Sequence, residues 1–248
     1  MENLAHFRAL GYGMKKLQNI GSVSETYPFL SSFFSGLDKD KVMIAEMKKN
    51  FNIFLEDLKE TEYSDLAASF GILGPKIPSL FKQVAEQNKD FIIHGDLWAN
   101  NCMFAKEPQV GEKPCLRTCT STSNFKIILN STKDPCVIVD WQFAACANPL
   151  LDYGTLAYLS MEPETTEEQI DELPTTYHNT FTTVCAQLGI DAPWSREEFK
   201  RLTYTEGYLL CFLWSFTAYE VAEKFPAIKR RMIWAAAKCL EHNQSILQ

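Results

Sequence analysis

Hydrophobic residues recur with the spacing of amphipathic helices toward both ends of the chain, and they form only short runs in the middle. This spacing predicts a first helix over residues 1 to about 20 and a long helix from Lys39 to Lys59. Asp38 is the expected N-cap of the second helix because its carboxylate can accept bonds from the first free backbone N–H groups. The apolar stripe of the first helix consists of Leu4, Phe7, Leu10, Met14 and Leu17.

Further helices are predicted on both sides of the middle region. Thr165 with Glu168, and Ser195 with Glu198, form the sequence pattern of a capping box at a helix start. Pro174 is expected to break the helix that the first box opens, because proline cannot donate the helical hydrogen bond. The predicted spans are Pro75 or Pro78 to about Gln87 after a turn at 71–75, Leu150 to Met161, a helix reaching about Leu188, Arg196 to Lys224, and a last helix after Phe225-Pro226.

The short apolar runs of the middle region predict strands. Phe91–Ile93 and Cys102–Phe104 flank a polar loop, and Val137–Val139 ends in Asp140, so we expect buried strands next to polar groups. Between residues 107 and 134 the chain turns polar apart from Phe125–Leu129, which predicts a hairpin with an enlarged connection.

Helices, a small β region and then helices again describe an α+β domain with one compact sheet patch. No internal repeat is apparent, and the whole span 1–248 is interpreted as a single domain. The 46% hydrophobic content of the 248 residues suffices for a sizeable core.

Charge and composition exclude several classes of protein. A net charge of −7 and a pI near 5.2 argue against a nucleic-acid binder, and Lys229-Arg230-Arg231 is interpreted as a solvated helix face. No secretory signal is visible, and Tyr208–Phe216, the longest apolar run, is too short to span a membrane, so a soluble cytoplasmic protein is expected. The eight cysteines are scattered, which favours reduced thiols. A zinc site is disfavoured because Cys115 and Cys119 are not accompanied by a second close pair of zinc-ligand spacing.

The polar loop between the first two strands carries the candidate chemistry. It contains His94-Gly95-Asp96 and, five positions after the aspartate, Asn101; Asp140 follows the third apolar run. Each residue alone has an ordinary alternative: Asp96 as a turn residue or helix cap, and Asn101 as a loop residue. Together, a carboxylate, an amide and a second carboxylate beside strands suggest a metal–phosphate site.

This arrangement resembles the catalytic loop and metal-binding aspartate of the protein-kinase-like fold. The sequence HGDLWANN, with Asp140-Trp141-Gln142 and LDYGTLAY from Leu151, most resembles the CHK kinase-like, or ecdysteroid kinase-like, family, relatives of choline kinases and aminoglycoside phosphotransferases. The resemblance implies an ATP-dependent transfer of phosphate to a hydroxyl of a small molecule, steroid-like or choline-like. Its specific motifs cover about 40 residues.

The resemblance also implies roles for individual residues. Asp96 would accept the proton of the hydroxyl, and Asn101 and Asp140 would hold Mg²⁺ and with it the ATP phosphates. His94, counted with Asp96 as catalytic, is expected to support the loop by hydrogen bonds. Asp152, Gln142 and Trp98 are supporting candidates, although Asp152 could instead cap a helix and Trp98 could pack in the core.

One departure from the family pattern leaves two functions open. Nothing ahead of Phe91 predicts the five-stranded sheet, phosphate loop and lysine of a kinase N-lobe, so the resemblance is to a C-lobe. The alternative is therefore an inactive C-lobe that binds a partner or a second copy through the surface that an N-lobe would cover. A phosphoester hydrolase is disfavoured because no histidine cluster accompanies the aspartates. For a choline-like acceptor, the candidate cation box is Trp194, Trp214, Tyr208, Tyr219 and Glu220, whose helical spacing equally predicts core packing.

Overall fold

Helices build most of the chain in the computed structural model, which describes residues 1–31, 36–37, 39–105, 116–118, 136–161, 165–222 and 224–244. The helices are α1 (Glu2–Leu17), α2 (Val23–Thr26), α3 (Lys41–Lys59), α4 (Ala67–Leu73), α5 (Ile77–Ala85), α6 (Leu150–Leu159), α7 (Glu167–Gln187), α8 (Arg196–Leu202), α9 (Tyr208–Ala222) and α10 (Pro226–His242). The strands are β1 (Phe91–Ile93), β2 (Cys102–Ala105), β3 (Leu116–Thr118), β4 (Cys136–Ile138) and β5 (Ala145–Ala147). The predicted α+β class with a mainly helical, kinase-like C-lobe architecture is confirmed.

The strands form two small antiparallel sheets rather than the one patch that was predicted. β1 pairs with β5, and β2 lies between β3 and β4 with Cys102 opposite Ile138. β4 is not a buried strand, because Val137 is 40% exposed. The predicted segment Phe125–Leu129 lies outside the described residues, as do Cys115 and Cys119.

The helix α1 packs with a different face from the predicted one. Leu10 and Leu17 are 56% and 61% exposed, although both belong to the predicted stripe. The buried face instead combines small residues with a few larger ones, and the small residues let α1 lie close to α7. Its members are Leu4, Ala5, Arg8, Ala9, Tyr12 and Gly13.

The N-cap of the long helix α3 is Asp40, whose carboxylate accepts bonds from the N–H groups of Val42 and Met43 at 3.0 Å. The predicted cap, Asp38, lies outside the described residues. The turn predicted at 71–75 is also shifted: Gly71 lies inside α4, and the chain bends at Gly74–Lys76 instead. The predicted helix toward Gln87 corresponds to α5.

The predicted break at Pro174 is wrong. Thr166 caps α7 in a capping box with Gln169, one position after the predicted box, and the helix then continues through Pro174 to Gln187. The hydrogen bond that proline cannot make is outweighed by the burial of neighbours such as Tyr177 and Phe181. Conversely, the helix predicted from Arg196 to Lys224 is divided by a π-helical turn, Thr203–Gly207.

The helix α9 lies at the centre of the core, as its largely apolar run Tyr208–Phe216 predicts, and every residue of that run is buried. Phe216 of α9 contacts Phe51 and Phe54 of α3 with ring centroids 5.1 and 5.4 Å apart, and α6 and α10 also pack against α9. Ahead of Phe91, the described residues contain no strand. Among the residues that the structure describes, no helix combines the length and apolar character needed to cross a membrane.

Candidate active site

The loop from His94 to Asn101 is anchored to the start of α6 through Asp152. The backbone N–H of His94 donates to Asp152 Oδ2 at 2.6 Å, and that of Gly95 donates to Oδ1 at 2.9 Å. Asp152 is completely buried. Because both carboxylate oxygens bond consecutive N–H groups, the start of the loop has one fixed orientation relative to α6.

Gly95 allows the loop to turn directly after β1. Its φ of +85° lies in the left-handed region, and a Cβ at this position would lie 2.5 Å from the carbonyl oxygen of Phe143. A residue with a side chain would therefore be both strained and crowded. Gly95 thus brings the loop against the turn that follows Asp140.

The His94 side chain joins the two halves of the site. Nε2 donates to the carbonyl of Val139 at 2.7 Å, and Nδ1 accepts from the N–H of Asp96 at 3.3 Å. This network assigns the ring proton to Nε2. The ring is fully buried against Trp141, with centroids 4.8 Å apart. Both ring nitrogens are engaged by the protein, which favours support of the loop over contact with substrate.

Asp96 and Asn101 lie side by side at the two ends of the loop. Asn101 Nδ2 donates to the Asp96 carbonyl at 2.7 Å and to its carboxylate Oδ2 at 3.2 Å. Burial raises the pKa of Asp96 to about 6, Asp140 and Asp152 act in the same direction, and His94 and Asn101 oppose them. The carboxylate is therefore partly buried and oriented by Asn101, and its pKa lies above that of an ordinary aspartate.

Asp140 stands at the exit of β4 in a left-handed conformation, with φ 65° and ψ 58°. Non-glycine residues in this conformation are concentrated at functional sites. The preceding N–H, of Val139, donates to the Asn101 carbonyl at 3.0 Å, which fixes the exit of β4 beside the loop. The Asp140 side chain is exposed.

The donor set fits a magnesium ion. Asn101 uses its amide nitrogen on Asp96, so Oδ1 is left as an oxygen donor without a hydrogen bond among the described residues, and Asp140 adds a carboxylate. Mg²⁺ takes one or two protein oxygens and fills its other positions with water or phosphate. In the described part of the chain no three His, Cys, Asp or Glu residues come together to hold a metal. The site therefore suits Mg²⁺ shared with phosphate rather than an ion enclosed by protein.

The side chains of two supporting candidates make no hydrogen bond to this centre among the described residues. Gln142 is exposed in the turn after Asp140, and Trp98 is half-buried with its ring 6.4 Å from that of Trp214. Sequence reasoning missed Thr155, whose hydroxyl donates to the Leu97 carbonyl at 2.6 Å, and Arg8, which forms an ion pair with Asp152. Arg8 had one signal in the sequence, a cation among the small residues of α1.

The model of the ecdysteroid kinase-like family matches residues 1–115 and 122–190. The chain belongs to this family. Membership confirms the resemblance carried by HGDLWANN, and the match spans the whole loop together with Asp140 and Asp152. Comparisons with curated proteins and with solved structures found no match.

The ecdysteroid kinase-like family suggests a kinase-like phosphotransferase that acts on small molecules. In this member, the aromatic residues considered for a choline box pack in different parts of the core. Trp194 stacks on Phe91 with centroids 5.0 Å apart, whereas the Tyr219 hydroxyl donates to Asp57 at 3.1 Å. Tyr208 stacks on Tyr158 at 3.9 Å. They do not converge on one cation site.

Proposed function

We propose that this protein transfers the terminal phosphate of ATP to a hydroxyl of a small molecule. The observation that carries the proposal is the Asp96 carboxylate, with its pKa raised to about 6 and its orientation fixed by Asn101. A base works best when its pKa lies near the working pH, because it is then ionised and still binds a proton well. Asp96 orients the acceptor hydroxyl and takes its proton as the oxygen attacks.

Asn101 and Asp140 are the proposed ligands for Mg²⁺. When bound, the ion supplies positive charge that neutralises the phosphate oxygens and orients the transferred group. The protein contributes the placement of the two donors: Asp96 holds the Asn101 amide, and the Val139 N–H fixes the backbone ahead of Asp140. His94, Asp152, Gln142 and Trp98 support the loop and the turn in this proposal.

The acceptor is proposed to be an apolar alcohol, such as a steroid-like one, rather than a choline-like cation. A quaternary ammonium requires several aromatic rings around one point. Trp194 and Tyr219 instead engage different partners in the core, and Glu220 bonds Lys49 at 2.6 Å. This dispersal argues against a choline-like acceptor and leaves the apolar class as the proposal.

Calorimetry with Mg²⁺-ATP and a phosphotransfer assay over a panel of alcohols test the proposal. We expect ATP to bind at millimolar concentration or below, Asp140→Ala to abolish binding, and the exposed Asp65→Asn to retain it. Asp96→Asn should bind ATP but turn over about 10²- to 10⁴-fold more slowly. Activity should rise with pH and level off above about 6, where Asp96 is ionised. The absence of ATP binding at millimolar concentration would exclude this function for the chain.

A second candidate function, a binding module without catalysis, is favoured by exposed apolar side chains near the site. Val137 and Phe143 are 40% and 45% exposed on either side of Asp140. Exposed apolar patches often mark binding surfaces. If this surface joins two copies, light scattering should show a dimer that Val137→Ser with Phe143→Ser converts to monomer. The control, Leu10→Ser with Leu17→Ser, removes apolar residues of α1 that are more exposed still and should leave the dimer intact.

A further inference from the structure

We propose that Arg8 of α1 is a positioning residue of the active site and that it acts on the loop His94–Asn101 through Asp152. The inference rests on the proposed function for its catalytic consequence, although the contacts themselves do not depend on it. Arg8 and Asp152 lie 144 positions apart in the sequence and form an ion pair in which neither side chain is exposed. The pair joins α1 to α6 directly beneath the loop.

Asp152 is the intermediary because the same carboxylate serves both partners. Oδ2 accepts from Arg8 Nη2 and from the His94 N–H, and Oδ1 accepts from the Gly95 N–H. Hydrogen bonds to an ionised carboxylate are about twice as strong as neutral ones. Arg8 keeps this buried carboxylate in place, and thereby keeps the two N–H groups at the start of the loop in their positions.

The surroundings of Arg8 indicate a role beyond stability. Within the described part of the chain, its Nε and Nη1 atoms make no hydrogen bond of ordinary geometry. The guanidinium nevertheless lies close enough to Tyr177 to oppose the burial that raises the pKa of that hydroxyl. A buried cation with incomplete hydrogen bonding costs free energy, and replacement of both members of a buried ion pair by apolar residues is often neutral, so stability alone does not require this pair. The need to orient Asp152 explains why a cation occupies this position.

Loss of the Arg8 cation should therefore alter the loop His94–Asn101 first. Without Arg8, the Asp152 carboxylate loses the partner that fixes its orientation and is free to move. This movement weakens its bonds to the N–H groups of His94 and Gly95. Lysine keeps the charge but not the planar fork of donors, so Arg8→Lys should have an intermediate effect.

Hydrogen–deuterium exchange on the full chain tests the proposal without reference to activity. In Arg8→Met, we expect the amides of His94 and Gly95 to exchange about tenfold faster than in the wild type, with α9 unchanged. The matched control is Arg231→Met. Arg231 is also a buried arginine, but it lies on α10 and donates from Nε to the Met161 carbonyl at 2.9 Å.

The outcomes separate positioning from general stability. Faster exchange of the loop in Arg8→Met but not in Arg231→Met supports the proposal, whereas equal exchange in both variants, or wild-type exchange in Arg8→Met, overturns it. If Arg8→Met does not fold, Arg8→Lys decides: faster exchange confined to the loop supports positioning, and wild-type exchange there overturns it.

A kinetic comparison adds the catalytic consequence. If the protein transfers phosphate, Arg8→Met should lower kcat about tenfold or more and leave the KM for ATP within about twofold, because Asp96 directly follows the two N–H groups that Asp152 holds, whereas the Asn101 backbone is also held by the Val139 N–H and Asp140 lies outside the loop. Arg8→Lys should recover part of the rate, and a rise in KM alone would contradict positioning. If the wild type transfers no phosphate, the proposed function fails, and the exchange experiment still decides the role of Arg8.

Discussion

At the scale of single residues, Asp96 should destabilise the folded protein at neutral pH. Its pKa is about 6 in the folded state, against 3.8 for an ordinary aspartate, chiefly because it is partly buried. Between these two values the folded chain binds more protons than the unfolded chain. The contribution of Asp96 to stability therefore falls as the pH rises through this window, and the full penalty is present above pH 6.

Asp96→Asn should remove this penalty, since an amide does not ionise and its oxygen can still accept the bond from Asn101. We expect the variant to be more stable than the wild type by about 1–2 kcal/mol at pH 7, with partial solvent screening taken into account. The difference should shrink as the pH falls from 6 and vanish near pH 3.5. Urea unfolding at several pH values measures it, and a difference independent of pH would contradict the assignment.

Cys136 should be the most reactive of the six described cysteines. A hydrogen bond from Cys102 lowers the pKa of Cys136 to about 7, against opposing burial, whereas burial raises the pKa of Cys146 to about 11. The thiolate is the nucleophile, so iodoacetamide at pH 7 should label Cys136 about tenfold faster than Cys146. Cys102→Ala, which removes the donor, should slow this labelling and Cys185→Ala should not. Mass spectrometry of the peptides distinguishes the sites, and equal labelling of Cys136 and Cys146 would refute the expectation.

The contrast between Asp96 and Arg8 shows which site residues a sequence can reveal. Asp96, Asn101, Asp140 and Asp152 occur at spacings that a resemblance can transfer, and the structure brings them to one loop and its support. Their chemical roles stay predictions. Arg8 is distant in sequence from Asp152, and one arginine in a helix gives no indication of its partner. Only the packing of α1 identifies it.

At the scale of elements, α6 supports the site, and its own position is set by a close approach to the π-helical turn Thr203–Gly207. A Cβ on Gly154 would overlap the carbonyl oxygen of Gly207. α6 also carries Asp152 and Thr155, whose side chains bond the backbone of the loop. The position of the loop therefore depends on Gly154 through the placement of α6.

Gly154→Ala should destabilise the protein by about 1–3 kcal/mol, because α6 must move away from the turn. The matched control is Gly71→Ala, another helical glycine, at which a Cβ would meet nothing within 4 Å. There alanine should stabilise by about 0.5–1 kcal/mol, since glycine loses more freedom on folding. Thermal and urea unfolding compare the two variants. Changes of the same sign would contradict the close approach at Gly154.

Element boundaries were predictable where local chemistry fixes them. Ser195 caps α8 as predicted, accepting from the Glu198 N–H at 3.1 Å. Elsewhere tertiary packing overrides the local signal: α7 continues through Pro174, and α1 buries Ala5 and Ala9 while Leu10 is exposed. Which face of a helix is buried depends on the surface it packs against. The larger apolar residues of α1 therefore predicted the wrong buried face.

At the scale of the whole molecule, side chains from both halves of the sequence share one core. α1 packs on α7, and α3 packs on α9. Asn50 of α3 adds a polar link, donating to the Phe216 carbonyl at 2.9 Å and accepting from the Glu220 N–H at 3.2 Å. Helices that precede the loop in the sequence thus pack against helices that follow it. This interleaving supports the prediction that the chain is a single domain.

The chain should consequently unfold in one cooperative transition. All five tryptophans lie between residues 98 and 234, so their fluorescence reports on the later part of the sequence, whereas circular dichroism reports on every helix. We expect coincident urea midpoints for the two signals. Asn50→Ala should lower the free energy of unfolding by about 1–2 kcal/mol, and with it both midpoints equally, because it leaves the Phe216 carbonyl and the Glu220 N–H without their partner. The exposed Asn52→Ala should change neither. Separate midpoints, or an effect of Asn50→Ala on circular dichroism alone, would mean that the first five helices fold independently of the rest.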